Sequence, residues 1–503
     1  MAALIATAPL ALIVLLMAVL RWSAASAGLV GLAAATVGAI GFFGLGTSIH
    51  AEQGIAGALV GTGAEAAFSA MDILWIILPA LSLYELQQRS GAIDVIRTGL
   101  MSLSSDKTLL ALIIAWFFAP FMEGAAGFGT PIALAAPLLV GLGFTPVVAV
   151  ALPLIGHVAG TSFGALGTPI FAQADVSGIS GNQIAPPTAL LHAGLAPMLV
   201  LSIVFIARAG RFQSKYAAWA IVAAICFLLP YLGLAVWVGP ELPTIGGALA
   251  GGLAFAFMLR RMHAQQTETL DARSLAIAGL PYAVLVGLIL MTRLVPQIRD
   301  VLRQVVLEWS LPGPFGGRIE PLYHPGTMLL AGFLFGGLLQ GRSYTELAGS
   351  VAAAARRLAP VAVALFAMLA IARLMVHAGM IETLAATAKR TGQAWPLLAP
   401  SVGAIGSFIT GSTTVSNILL TDLQQAAAAK LGLPILALVA AQGFGAAVGN
   451  CAALHNIITG AATVGLLGRE GDILRRTGPF CIGYLALGGV LALTLARWFP
   501  FRG

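Results

Sequence analysis

The chain has 503 residues, 59% of them hydrophobic and only 9% charged, with a mean hydropathy of +0.96. Soluble domains carry roughly 25% charged residues, so an ordinary soluble enzyme is excluded and the class is polytopic membrane protein. The net charge of +7 includes only short basic pairs such as Arg260-Arg261 and Arg475-Arg476; these read as topology signals, and no nucleic-acid partner is expected.

In chain order, apolar runs long enough to span a bilayer fall at 2–20, 25–45, 66–86, 108–122, 145–170, 186–208, 216–238, 244–260, 274–294, 325–340, 358–376, 395–409, 434–460 and 479–497. No basic residue precedes the first run, so it is taken as a membrane helix rather than a leader. Segments 124–141 and 411–430 are apolar but interrupted by small residues, as hairpins or broken helices are. Residues 90–105, 343–357 and 379–391 are amphipathic enough to lie along the membrane surface. The longest polar connection, 295–324, contains Leu311-Pro312-Gly313-Pro314 and makes a natural midpoint. Cys226, Cys451 and Cys481 lie in apolar segments without metal-ligand spacing, so neither a disulfide nor a zinc site is expected.

An internal repeat organises these runs. Ser90-Gly91-Ala92-Ile93-Asp94 aligns with Ala378-Gly379-Met380-Ile381-Glu382, an offset of 379 − 91 = 288. Gly124 and Gly411 give 287, Pro146 and Pro434 give 288, and Gly156 and Gly160 against Gly445 and Gly449 give 289. The expected division is N-terminal helices over 1–54, a first repeat over 55–170 with a hairpin at 121–141, connecting helices over 171–344, a second repeat over 345–460 with a hairpin at 408–430, and a C-terminal loop and helix over 461–503. Six basic connections, at Arg21, Arg89 to Lys107, Arg208 to Lys215, Arg260 to Arg273, Arg342 to Arg357 and Arg469 to Arg476, are all cytoplasmic if each glycine-rich unit adds a net crossing. The repeats are then inverted, with Lys389-Arg390 on the outer side. The expected fold is an all-α polytopic membrane protein of about 12–16 membrane segments with two inverted repeats, each holding a glycine-rich hairpin or broken helix.

The chemistry concentrates in two runs. Glu123-Gly124-Ala125-Ala126-Gly127-Phe128-Gly129-Thr130-Pro131 is answered by Thr410-Gly411-Ser412-Thr413-Thr414-Val415-Ser416-Asn417. Lipid cannot hydrogen-bond a loosened backbone, so such breaks survive only when buried in protein or facing a polar cavity. Glycines expose backbone N–H groups at a helix start, which suits a small anion. Gly124, Gly127, Gly129 and Thr130, with Gly411, Ser412, Thr413, Thr414, Ser416 and Asn417, are the expected cradle for a carboxylate and a neighbouring hydroxyl. The competing reading is that small residues merely allow close helix packing.

Glu123 is either a proton carrier, as intramembrane carboxyls often are, or a cap on a broken helix, or a substrate contact. His157 and His455 each follow a hairpin, within what reads as one long helix, and suit proton coupling or carboxylate binding. Asn450 and Asn456 are candidate amide partners there. Asp72, Glu85, Arg373 and Asp422 are weaker: Glu85 and Arg373 fit an ion pair or snorkelling, and Asp422 faces either the cavity or a helix end. No phosphate loop, zinc motif or hydrolase elbow occurs, so no enzyme activity, metal or cofactor is expected.

At these motifs the chain resembles the L-lactate permease family. The resembling stretches include Leu83-Tyr84-Glu85-Leu86, the run from Glu123 to Gly129 and on to Phe144, Ser162-Phe163-Gly164-Ala165-Leu166-Gly167-Thr168-Pro169-Ile170, Thr410-Gly411-Ser412, Ser416-Asn417, and Val464 to Asp472. The resemblance implies proton symport of L-lactate, or D-lactate or glycolate, across a bacterial inner membrane, and kinship with carriers whose paired hairpins move together. The chain departs from the family's usual pattern at Thr413, where an Asp is usual, and at Leu454-His455-Asn456, where a Pro-Gln-Ser type is usual. The alternatives are sodium coupling or another organic anion (a dicarboxylate or sulfonate) on the same architecture, and a channel-like protein that equilibrates without concentrating. The expected partners are a small organic anion, a proton and the lipid bilayer, with homo-oligomerisation left open.

Overall fold

The computed structural model describes residues 1–127, 129–262 and 271–498. Phe128, inside the first glycine-rich run, and part of the basic connection between Arg260 and Arg273 lie outside the described residues. Among the described residues the fold is all-α except for one small β-hairpin. Among the described residues, 10 helices are long and apolar enough to cross a membrane; shorter apolar helices lie at Ala2–Met17, Thr130–Gly141, Pro146–Gly156 and Pro325–Leu339. Fewer helices span than there are apolar runs, because those at Ala2–Met17, Pro325–Leu339 and Trp395–Thr410 are short and the run over 145–170 is broken after Gly156.

Twelve helices position the site. They are α1 (Gly54–Arg89), α2 (Ala92–Met101), α3 (Lys107–Ala125), α4 (Thr130–Gly141), α5 (Pro146–Gly156) and α6 (Gly164–Ser177), then α7 (Tyr344–His377), α8 (Met380–Ala388), α9 (Trp395–Thr410), α10 (Thr413–Leu431), α11 (Ile435–Ala452) and α12 (Leu454–Thr463). The second six follow the order of the first, and their starts keep the sequence offset: 380 − 92 = 288, 395 − 107 = 288, and 435 − 146 = 289.

The glycines at that offset do matching work. A methyl group on Gly156 would run into the backbone of Ala115 in α3, and one on Gly445 into the backbone of Pro400 in α9. Each helix after a hairpin therefore presses directly on that hairpin's first arm, an approach only glycine permits.

Helices α1 and α7 lie side by side and antiparallel. Glu85 meets Arg357 at 2.5 Å, Ser69 meets Arg373 at 3.3 Å, and Glu65 meets His377 at 2.7 Å, so the numbers fall on one helix as they rise on the other. Residues 343–357, expected along the membrane surface, are instead the cap and first turns of α7. Ser343 and Glu346 close a capping box there, and the ion pair to Glu85 accounts for the arginine that made the segment look superficial. Segments 90–105 and 379–391 do contain short separate helices, α2 and α8, which bury Ile93 and Ile381.

Each glycine-rich unit is a hairpin whose ends meet, so it returns to its starting side and does not add the net crossing expected from the sequence, because its tip turns back on itself. Lys107 Nζ, at the start of α3, donates to the Gly143 carbonyl just past α4 at 2.6 Å. Gln393 Nε2, just before α9, donates to the Leu431 carbonyl at the end of α10 at 2.9 Å. The polar connection 295–324 holds strands β1 (Leu307–Ser310) and β2 (Gly316–Ile319), paired antiparallel with Leu307 opposite Ile319. Phe315, 2% exposed, plugs this hairpin into a socket that Gly61 leaves open on α1, against the rings of His50 and His377.

Candidate functional site

The tips of the two hairpins meet at a cavity of about 80 Å³. Hairpin one contributes Glu123, Gly127, Gly129 and Ile132; hairpin two contributes Gly411, Ser412, Thr413 and Thr414. The remaining wall comes from two broken segments. The expected single helix over 145–170 is interrupted after Gly156, resumes for one turn at Val158–Thr161, and breaks again before α6. The expected helix over 434–460 breaks at Ala453, between α11 and α12. His157 and His455 sit at these interruptions and line the cavity, so neither lies within an unbroken helix.

The first break is strained. Ala165 and Leu166 adopt left-handed backbone with φ of 41° and 52°, followed by Gly167 at 85°. Such residues cost on the order of 1–3 kcal/mol each and persist only where the surroundings force them. The turn aims Thr168 and Pro169 into the cavity beside Thr161 and Gly164.

Helix ends dominate the electrostatics. Gly129 caps α4 with φ of 78°, and Ser412 caps α10, its Oγ accepting from the Val415 N–H at 3.3 Å. His455 and Asn456 occupy the first turn of α12. First-turn N–H groups have no partner inside their own helix and carry partial positive charge, so three helix N-termini face one space.

Several polar side chains at the cavity lack partners among the described residues. His157 is fully buried; its Nδ1 lies 2.7 Å from the Pro153 carbonyl. A carbonyl can only accept, so Nδ1 carries the proton, and in the neutral ring Nε2 presents a lone pair. That Nε2 is buried and makes no hydrogen bond within 3.5 Å among the described residues, with the Asn450 side chain standing beside the ring. Glu123, 7% exposed, makes no hydrogen bond or ion pair with any described residue. Asn456 Nδ2 donates to Asn450 Oδ1 at 2.6 Å, and Asn450 Nδ2 reaches the Gly411 carbonyl at 3.4 Å, which ties the second break to the tip of hairpin two.

A sequence model described as L-lactate permease matches residues 2–316 and 310–499. The chain belongs to the L-lactate permease family. It is 31% identical over 444 residues to an L-lactate permease of Streptococcus iniae, covering 86% of this chain and 92% of that protein. It is 28% identical over 483 residues to the glycolate permease GlcA of Escherichia coli, covering 86% and 85%. Among solved structures it resembles MtrF of Neisseria gonorrhoeae, described as illuminating a class of antimetabolite efflux pumps. The TM-score is 0.52 and the identity 15%, over 91% of this chain and 86% of that one. At that identity the likeness concerns the fold alone. The chain is thus a multi-pass membrane transporter homologous to bacterial permeases, and not an enzyme.

Eleven of the residues singled out in the sequence line this permease cavity: Glu123, Gly127, Gly129, His157, Gly411, Ser412, Thr413, Thr414, Asn450, His455 and Asn456. Four do not. Gly124 lets α3 pack on helix Pro243–Met262, since a methyl there would come 2.9 Å from the Ile245 nitrogen. Thr130 closes the first tip by donating to the Gly127 carbonyl at 2.8 Å. Ser416 joins the two arms of hairpin two through the Gly403 carbonyl at 2.7 Å. Asn417 binds the Pro169 carbonyl at 3.0 Å. Gly164, Ala165, Thr168 and Pro169 also line the cavity and were legible only as part of the family motif, and Thr161, which lines it too, was not singled out in the sequence.

The other ionisable residues lie apart from the cavity. Glu85 pairs with Arg357, Arg373 with Asp175 at 2.9 Å, and Asp72 with His324 at 3.1 Å. Asp422 sits mid-way along α10 rather than at a helix end.

Proposed function

We propose that this permease takes up a short 2-hydroxy monocarboxylate, L-lactate with D-lactate and glycolate as related substrates, together with a proton. The observation that carries this reading is the unpartnered, buried Nε2 of His157 beside three helix N-termini. The N-termini of α4, α10 and α12 supply donors for the carboxylate without any buried lysine or arginine. A lone pair on Nε2 suits the donated hydrogen of a 2-hydroxyl group. Glu123, facing the same space without a partner among the described residues, is the proposed proton carrier, as intramembrane carboxyls often are. His455 is a second candidate contact at the more open side.

The alternating-access frame we propose is a pair of inverted repeats. The antiparallel course of α1 and α7 supports it, since equivalent helices related by an axis in the membrane plane run in opposite directions. The six basic connections still fall on one face when each hairpin is counted as a return and the segment after it as the crossing, in place of the net crossing first assigned to each glycine-rich unit.

Uptake of labelled L-lactate into proteoliposomes tests the reading. Accumulation driven by an imposed pH gradient, abolished by a protonophore and inhibited by glycolate, is the expected result. Accumulation that follows a sodium gradient instead, or inhibition by a dicarboxylate or sulfonate with no lactate uptake, would replace it with the corresponding alternative.

A further inference from the structure

Helices α6 and α10 run parallel, stitched at successive turns. Asn417 bonds the Pro169 carbonyl at 3.0 Å, Gln173 Nε2 bonds Thr421 Oγ1 at 3.3 Å, and Gln425 Nε2 bonds the Ser177 carbonyl at 3.2 Å. The partners differ by 248 positions each time. This polar seam starts at the cavity wall, at Pro169 and Thr413, and leads away from it. Two amide oxygens on the seam, Asn417 Oδ1 and Gln173 Oε1, are buried and have no hydrogen-bond partner, although both residues are 0% exposed. Buried acceptors of this kind are normally satisfied by internal water.

At the far part of the seam lies a second charged cluster. Arg373 of α7 holds Asp175 of α6 at 2.9 Å, with Ser69 of α1 bridging to Asp175 Oδ1 at 2.9 Å. Asp422 of α10 shares the field of Arg373, Asp175 and Glu382 yet makes no hydrogen bond or ion pair with any described residue. Asp72 also faces Asp175 electrostatically. Arg373 keeps a buried Nε–H without a partner. One guanidinium thus serves two partly buried carboxyls and satisfies only one of them. Asp422 is nine residues beyond Thr413, which puts it about 13 Å along the helix from the cavity at 1.5 Å per residue.

We propose that Asp422 is a second proton-binding group of this carrier, with Arg373 as the counter-charge for which it competes with Asp175, and with the α6–α10 seam linking it to the cavity. When Asp422 loses its proton, its charge draws on the free Nε–H of Arg373; when it gains one, Arg373 is left to Asp175. The inference rests on the proton-symport reading above and adds a group that the substrate does not touch.

The test compares two assays on Asp422→Asn in proteoliposomes. Lactate counterflow needs no net proton movement, whereas accumulation under a pH gradient does. The expected result is counterflow at the wild-type rate with accumulation lost, and recovery of accumulation in Asp422→Glu. Wild-type accumulation in Asp422→Asn overturns the proposal, and so does loss of both activities in a variant that elutes as folded protein. Should Asp422→Asn not fold, carbodiimide labelling of the wild-type carrier decides, because the reagent modifies protonated buried carboxyls. A mass shift at Asp422 that fades as pH rises supports the proposal, and an unmodified Asp422 beside a modified Glu123 overturns it. If the wild type itself fails to accumulate lactate with a pH gradient, the proton-symport reading fails, and that is seen before any variant is made.

Discussion

A methyl group on Gly164 would occupy the space of the Glu123 Oε1 atom. The carboxyl in hairpin one is thus seated against the start of α6, and glycine is what makes the seat. Gly164→Ala should disturb the Glu123 side chain with little effect on the backbone, since Gly164 has no left-handed φ to lose. Overpacking of this kind costs about 1–3 kcal/mol. A drop in transport rate of about tenfold is expected, with a lowered melting temperature that Glu123→Ala in the same chain partly restores. A double-mutant cycle on melting temperature checks it, because sites in contact are not additive.

Glu123→Gln preserves shape and removes the exchangeable proton. The expected outcome is loss of pH-driven accumulation with counterflow retained. Full accumulation by this variant would remove Glu123 from the coupling step.

The His157 lone pair predicts a substrate preference. Propionate matches lactate except for the 2-hydroxyl, so binding it leaves Nε2 unsatisfied in a dry site. An unmade buried hydrogen bond costs about 1–3 kcal/mol, so propionate should bind about 10–100-fold more weakly than lactate. His157→Leu should bring the two inhibition constants together. An unchanged ratio in that variant would show that Nε2 does not read the hydroxyl.

Away from the cavity, Arg293 and Glu241 form a sealed ion pair at 2.6 Å, with side chains only 4% and 2% exposed. Arg293 also donates to the Tyr323 carbonyl at 3.0 Å, anchoring the polar connection to helix Ala272–Leu294. Removing one partner of such a pair leaves a buried charge and costs about 3–5 kcal/mol. Arg293→Met should therefore lower thermal stability in detergent clearly, and adding Glu241→Leu should recover much of the loss. Lactate counterflow in the surviving protein should be little changed.

Much of the site was legible because glycine-rich breaks in apolar sequence have few structural excuses. The tips around Gly127 and Gly411, the carboxyl of Glu123 and both histidines could be found that way. The rest depended on contacts between distant segments. Ser416 and Asn417 have the right chemistry, but their hydroxyl and amide are consumed by Gly403 and Pro169, and sequence does not reveal which donors are already spent. The left-handed Ala165-Leu166 pair was illegible for the opposite reason: neither residue favours that conformation, so only the surrounding fold imposes it. Strands β1 and β2 are four residues each and owe their stability to Phe315 docking on α1, which no local pattern announces. Segment 343–357 was misplaced along the membrane surface because the partner of Arg357, Glu85, lies 272 positions away.

The seam between α6 and α10 means that neither half of the chain owns a complete wall around the cavity. Hairpin one and α6 come from the first third of the sequence, hairpin two and α10 from the last. A polypeptide cut within the connection 295–324 would therefore yield two fragments, each with an open polar groove where the other should be. Neither fragment could form a carrier from two copies of itself, because His157 and Asn450 would each lack the opposite face. Function should return only when both fragments are made in the same cell, so an intact linkage is dispensable while the pairing of unlike halves is not.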